Sequence, residues 1–283
     1  LERRPRVDPG AVSLLLVLGG ALLCAAGGVP GLFRGGEGAR RLSVGGSVLG
    51  ALLGLAGAAA TLATGRGGEL SRAWPLPGAA FHVALDPLSA LFLAPLFLVS
   101  ALAAVSGARS FSDGEHPRDA RRTRFFYGLA TAAIAVVLVA RNVLLFLASW
   151  EVMALSAFFL VTADRDSREA RDAGRLYLFA THVSTLSLFG LFALLRSLTG
   201  SLELVPLPAG VAGSGAGTAL FVLALVGFGI KAGMLPFHVW LPPAHAAAPA
   251  HVSALMSGVL IKTGIYGLVR LLSLVPDPPV RWG

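Results

Sequence analysis

Eight apolar runs recur along this chain, each close to the roughly 20 residues that a helix needs to cross the hydrocarbon core of a bilayer. They cover residues 11–33, 42–64, 86–105, 124–140, 143–163, 174–195, 218–240 and 251–274. Lipid offers no water to backbone N–H and C=O groups, and a helix satisfies those groups within its own segment. Composition agrees: of 283 residues, 55% are hydrophobic and only 13% are charged, against about 25% charged in a soluble domain. The expected fold class is therefore all-α, a polytopic transmembrane helix bundle of about eight spans.

The net charge of +8 is almost all arginine, and it sits in short links between the runs. Nucleic-acid binding needs a basic face on a folded domain, and no such domain is visible, so nucleic acid is not an expected partner. Positive-inside bias accounts for the charge more simply. The links after runs one, three and five carry Arg34, Arg40 and Arg41, then Arg109, Arg118, Arg121, Arg122 and Arg124, then Arg165, Arg168, Arg171 and Arg175. The links after runs two, four and six carry only Arg66, Arg72, Arg141 and Arg196. That asymmetry puts the first set in the cytoplasm and the N-terminus outside, although Arg3, Arg4 and Arg6 pull weakly the other way. Those three arginines ahead of an apolar run also mimic a signal peptide, but several further spans follow. The single Cys24 has no partner for an internal disulfide, and no CxxC or other metal-ligand spacing occurs. Neither a metal nor a cofactor is expected in this chain.

Residues 224–272 combine features that rarely coexist. They are apolar enough for a membrane, yet they hold the only two lysines of the chain, Lys231 and Lys262. A charge at the bilayer centre costs about 2.5–3.5 kcal/mol on insertion scales. Pro236 follows Lys231 by five residues, and proline removes a ladder hydrogen bond and crowds the preceding turn. The seventh span is thus expected to be broken near Pro236, with Lys231 near its middle. Lys262 lies eleven residues past His251, about three turns along one helix face, with Gly258 between them leaving room for water. The pattern points to an ion path.

Other polar residues at depth fit such a path. Glu151, in SWEVMALSAFFLV, is an acid well inside an apolar run; it is either protonated or paired with a cation, or it makes a structural contact between helices. His182 lies in run six beside Thr181, Ser184 and Thr185, where a neutral imidazole can donate from one nitrogen and accept at the other. His238 and His245 look interfacial, and His82 and His116 look like loop residues. Asp86-Pro87 has the composition of a helix start. Gly46, Gly50 and Gly54, spaced by four, mark a close-packing face.

The runs SWEVMALSAFFLV, GIKAGMLPFHVWLPPAH and PAHVSALMSGVLIKTGIYG, with Asp86-Pro87-Leu88-Ser89 before them, resemble the antiporter-like proton-translocating subunits of respiratory complex I and its relatives. ATHVST around His182 and the segment HVSALMSGVLIKTGIYG are most similar to the large membrane subunit of group 4 hydrogenases, of the hydrogenase-4 and formate hydrogenlyase kind. The resemblance covers residues 86–283; the first two runs match only in hydropathy. It implies that residues 124–283, spans four to eight, form the first of two inverted five-helix repeats and the start of the following loop, with residues 1–123 as three N-terminal spans.

It also implies a proton pathway in which Glu151 pairs with Lys231 and the proton passes on towards Lys262, with His182 and His251 as water-wire members. No redox chemistry is expected in this chain; iron–sulfur clusters and quinone or hydrogenase sites belong to partner subunits of a respiratory or hydrogenase complex. The implied location is the bacterial inner (plasma) membrane, multi-pass, in contact with the lipid bilayer and with other membrane and peripheral subunits. A multi-subunit Mrp-type cation/proton antiporter is the alternative, and a non-conducting scaffold is a third reading. The family has a second repeat, so the resemblance implies a piece of a longer protein or one product of a split gene.

Overall fold

A computed structural model describes residues 8–33, 36–75, 79–110, 117–276, 278, 279 and 282. His116, read as a loop residue, and the N-terminal arginines lie outside them. The elements follow in order: α1 (Pro9–Gly28), α2 (Pro30–Phe33), α3 (Glu37–Thr64), β1 (Glu69–Ala73), β2 (Ala80–Ala84), α4 (Pro87–Ser110), α5 (Pro117–Val139), α6 (Val143–Val161), α7 (Arg168–Thr199), α8 (Gly215–Ala232), α9 (Leu241–Ala247), α10 (Ala250–Leu255) and α11 (Lys262–Ser273). Short 3-10 turns at Val211–Gly213 and Phe237–Trp240 and a π-helical turn at Met256–Leu260 fill the gaps. Among the described residues, eight segments are long and apolar enough to cross a membrane, the number expected.

Local chemistry sets the boundaries. Asp8 accepts from the Gly10 N–H before α1, Asn142 from Leu144 before α6, Ser167 from Ala170 before α7 and Ser214 from Gly217 before α8, each side chain satisfying a helix N–H that lacks an intrahelical partner. The glycine face of α3 does pack closely. Gly50 rests on the backbone of Gly20 and Cys24 in α1, Gly46 on Gly27, and Gly54 on the Phe97 ring of α4. A side chain at Gly50 would collide with the α1 backbone, so only glycine permits this approach.

The two-stranded hairpin was not anticipated. β1 and β2 pair antiparallel, Glu69 opposite Ala84 and Ala73 opposite Ala80. His82 is therefore a strand residue. Its Nδ1 lies 2.6 Å from Glu203 Oε2 and its Nε2 lies 2.7 Å from Glu69 Oε1, tying the hairpin to the link after α7. Asn142 Nδ2 donates to the other Glu203 oxygen at 2.8 Å.

These contacts define one face of the bundle, carrying the hairpin, the α5–α6 turn and the α7–α8 link. The opposite face gathers the arginine-rich links. There Arg40 donates to the Ala108 carbonyl at 2.6 Å, joining the start of α3 to the end of α4. Arg165 lies 3.6 Å from Asp119, joining the α6–α7 link to the start of α5. The two sets of links therefore alternate between the two ends of the bundle.

Candidate functional site

The seventh span breaks as expected, three residues earlier than Pro236 itself. α8 ends at Ala232, and Gly233 takes a left-handed conformation (φ 68°) that favours glycine. Its N–H closes onto Ile230 and the Met234 N–H onto Gly229. Pro236 then leads into the 3-10 turn. Trp240 in that turn folds back and donates from Nε1 to the same Ile230 carbonyl at 2.8 Å, a second donor that ties the turn to the end of α8.

Lys231 sits on the last turn before the break and is 1% exposed. Its Nζ donates to Tyr177 Oη of α7 at 3.0 Å, and Tyr177 Oη donates onward to the Ala154 carbonyl of α6 at 3.3 Å. The ammonium position lies 5.2 Å from the Tyr177 ring and 5.8 Å from the Trp150 ring; Trp240 stands edge-on to Tyr177 at 5.2 Å. Aromatic faces attract a cation by their quadrupole. So α6, α7 and the broken span together build a cage around one amine. Trp150 keeps its buried Nε1 without a hydrogen-bond partner among the described residues.

Glu151 is half-buried, adjacent to Trp150 on α6. Its charge is near enough to act on Lys231, but among the described residues no ion pair joins them. The carboxylate and amine are neighbours rather than a bonded pair.

Lys262 opens α11, half-buried, with Nζ donating to the Ser257 carbonyl at 2.9 Å on the exposed side. The π turn explains the placement. Its wider ring bonds the Ile261 N–H to Met256, shifts the helical phase and leaves the Ser257 carbonyl to the lysine. His251, before that turn, is buried on another side, against Gly107 and 5.9 Å from the Tyr127 ring. The shared face expected for His251 and Lys262 is thus not kept, and Gly258 packs against Val99 rather than opening space. α11 approaches the Lys231 segment at Gly264, beside Phe228 and Ala232.

His182 is exposed, with Nδ1 at 2.8 Å from the Leu178 carbonyl. Tyr177, Thr181, Ser184, Thr185 and Leu188 form the buried phase of α7, which leaves position 182 on the outward side. The structure therefore brings Glu151 near Lys231, sets Lys262 on the next helix beyond it, and places His251 and His182 apart from both.

Sequence reasoning missed Tyr177 and Trp240, aromatic residues that look like ordinary core in an apolar run. It also missed Arg270. Arg270 Nη1 and Nη2 grip Asp86 Oδ2 and Oδ1 at 2.7 and 2.8 Å, and Arg141 lies 3.1 Å from Oδ2. Asp86 in turn caps α4 by accepting from the Ser89 N–H at 2.8 Å. Tyr266 Oη and Ser89 Oγ both donate to the Leu138 carbonyl at 2.6 Å. Burial pushes the Asp86 carboxyl up, but the hydrogen bonds from Arg270 and Ser89 and the charges of Arg141 and Arg270 outweigh it and hold the group well below the usual carboxylate range. A charge inside the run YGLVRLL was the available signal.

The bundle has one broken span with a caged lysine at the break, and comparison with known proteins gives its family. The family model described as NADH:quinone oxidoreductase/Mrp antiporter, transmembrane, matches residues 140–281, which contain Glu151, Lys231 and Lys262. The chain belongs to that family. It is 36% identical to hydrogenase-4 component B of Escherichia coli (strain K12) over 215 residues, covering 74% of this chain and 31% of that protein. It is 29% identical to formate hydrogenlyase subunit 3 of the same organism over 238 residues, covering 82% and 37%. Among solved structures, a chain of the Mrp complex from Dietzia sp. DQ12-45-1b shares the fold with a TM-score of 0.75 at 24% identity, over 93% of this chain and 49% of that one. The chain thus spans about a third of the length of these curated relatives.

Proposed function

We propose that this chain is the first-repeat portion of a proton-translocating membrane subunit in a hydrogenase or complex I-like NADH:quinone oxidoreductase assembly. The observation that carries the reading is Lys231, buried at a helix break and held by one tyrosine. Burying an unneutralised amine is costly, and a break at that depth is tolerable only within protein or beside water. A group so placed is suited to gain and lose a proton as its surroundings move.

Glu151 sets the electrostatics. Drawing the carboxylate away weakens the lysine's hold on its proton, and bringing it back strengthens it. Lys262 is the next acceptor, across the α8–α11 contact, with His251 and His182 at the margins of the route. Residues 124–283 form the repeat and residues 1–123 flank it. Electron transfer in partner subunits drives the cycle; this chain does no redox chemistry. It sits in the bacterial inner membrane with the arginine-bearing face in the cytoplasm and the N-terminus outside.

The test is Lys231→Met, assembled in the complete complex and assayed in everted membrane vesicles. Proton movement is expected to be lost while electron transfer from the donor persists. Undiminished proton movement rejects the role. The family also includes Mrp antiporter subunits, and cation exchange that requires sodium, with no linked electron transfer, would favour that second reading.

A further inference from the structure

The arginine-bearing face carries a cleft of about 390 Å³ lined by Arg122, Phe158, Thr162, Arg165, Arg171 and Arg175. It lies where α5 and α7 begin and α6 ends. Gly174 of α7 packs directly on Phe158 of α6 and on Thr162 just past its end, so the floor is tight while the rim is cationic. Arg122 is held in place from below: its guanidinium lies 4.5 Å over the Phe159 ring and 5.9 Å over Phe126. Arg171 Nη1 donates to the carbonyls of Arg165 and Asp166 at 2.6 and 3.2 Å, which leaves its other donors for a ligand. Among the described residues, two acids form ion pairs at the cleft. Asp119 stands 3.6 Å from Arg165; Asp172 pairs with Arg175 and lies 3.9 Å from Arg168. The cleft keeps a cationic surplus.

Below it, towards the membrane interior, the exposed surface turns apolar in two rows. On α6 the row is Leu155 and Val152 below the half-buried Phe158; on α7, Arg175 is followed along one helix face by Phe179, the exposed His182 and Leu186. Leu155 is 43% exposed, Phe179 70% and Leu186 69%. A free anion would use the rim and leave these rows bare, and an acidic peptide would have no use for them. A molecule with an anionic head and long hydrocarbon tails uses both.

We propose that this cleft binds the phosphate of an anionic lipid headgroup, with Arg122 and Arg171 as its principal donors and the lipid tails laid along the α6 and α7 rows. Guanidinium forks match phosphate oxygens in pairs, and basic pockets between spans at the membrane interface are suited to such heads.

The test titrates phosphatidylglycerol, or phosphatidylcholine as the zwitterionic comparison, into the purified complex in detergent. Bound lipid is counted by native mass spectrometry. Each cation near an anionic surface contributes about 1 kcal/mol, a factor of about five. The double variant Arg122→Gln, Arg171→Gln should therefore weaken one phosphatidylglycerol site about thirtyfold, and phosphatidylcholine binding should not change. Arg40→Gln with Arg41→Gln, at a separate cleft on the same face, should leave that site intact. A second measurement needs no variant: phosphatidylglycerol should protect Arg171 and Arg175 from an arginine-specific dicarbonyl reagent. Equal phosphatidylglycerol affinity in both proteins overturns the proposal. So does full protection by millimolar inorganic phosphate, which would make this a free-anion site. Protection by partner subunits in lipid-free detergent would make it a protein interface and equally overturn it.

Discussion

Tyr177→Phe isolates the contact that holds the caged amine. The change removes one oxygen and leaves the ring, its packing against Trp240 and its face towards Lys231. The lost bond is the 3.0 Å donation from Lys231 Nζ. The Ala154 carbonyl that Tyr177 donates to lies within α6 and keeps its helical partner. A hydrogen bond to a charged group is worth about 1.5–3 kcal/mol, whereas a neutral one contributes about 0.5–1.5 kcal/mol. With Lys231 as an ammonium, Tyr177→Phe should therefore cost about 1.5–3 kcal/mol. In a Lys231→Met background the bond is already gone, and the same change should cost about 1 kcal/mol or less, for the phenol's remaining weak donation. A double-mutant cycle in mixed micelles, read by equilibrium unfolding, measures the difference as a coupling energy. Coupling of about 1–2 kcal/mol supports the bond as drawn. Coupling below about 0.5 kcal/mol would refute the reasoning, because the hydroxyl would then not be serving the amine.

Other consequences follow from the packing. Replacing Asp86 by Asn should destabilise the bundle by about 1.5–3 kcal/mol through its weakened pairing with Arg270, measured by thermal unfolding. Because folding holds the Asp86 carboxyl below its usual range, its contribution is full above that range and fades only as pH falls through the lower folded value. The gap between wild type and Asp86→Asn should accordingly stay constant at neutral and mildly acidic pH and shrink only in strong acid; a gap that closes near neutrality would contradict this. Gly50→Val should cost at least about 1–3 kcal/mol by overpacking α3 against α1, and wild-type stability in that variant would show that the close approach is not needed. Trp240→Phe should lose about 1 kcal/mol with its bond to the Ile230 carbonyl, seen as faster amide exchange at the end of α8; unchanged exchange would show that the bond does not secure the break.

Much of this was legible in the chain. Span length alone indicated eight crossings, because a bilayer imposes one length on each of them. Pro236 marked the broken span, Asp86-Pro87 a helix start, and Gly46, Gly50 and Gly54 a packing face. The hairpin was hidden because ELSRA and AFHVA are short and flanked by glycine and proline, which reads as a loop. The π turn was hidden too, since one extra residue in a helical ring leaves no mark in composition, yet it rotates Lys262 away from His251. Tyr177 and Trp240 escaped because an aromatic residue in an apolar run looks like core until a polar partner is seen. A pairing of Glu151 with Lys231 was expected; that a tyrosine, and not the glutamate, touches the amine is set by three-dimensional packing that the residue order does not show.

The chain's two lysines make a direct measurement possible. Isotopic labelling of lysine side chains gives two ammonium signals, and Lys231→Met assigns them. The account predicts that, at a fixed pH near neutrality, Glu151→Gln changes the charged fraction of Lys231 while Lys262, held by the Ser257 carbonyl, changes little. A Lys231 signal identical with and without the Glu151 carboxylate would contradict the claim that this acid governs the proton on the buried amine.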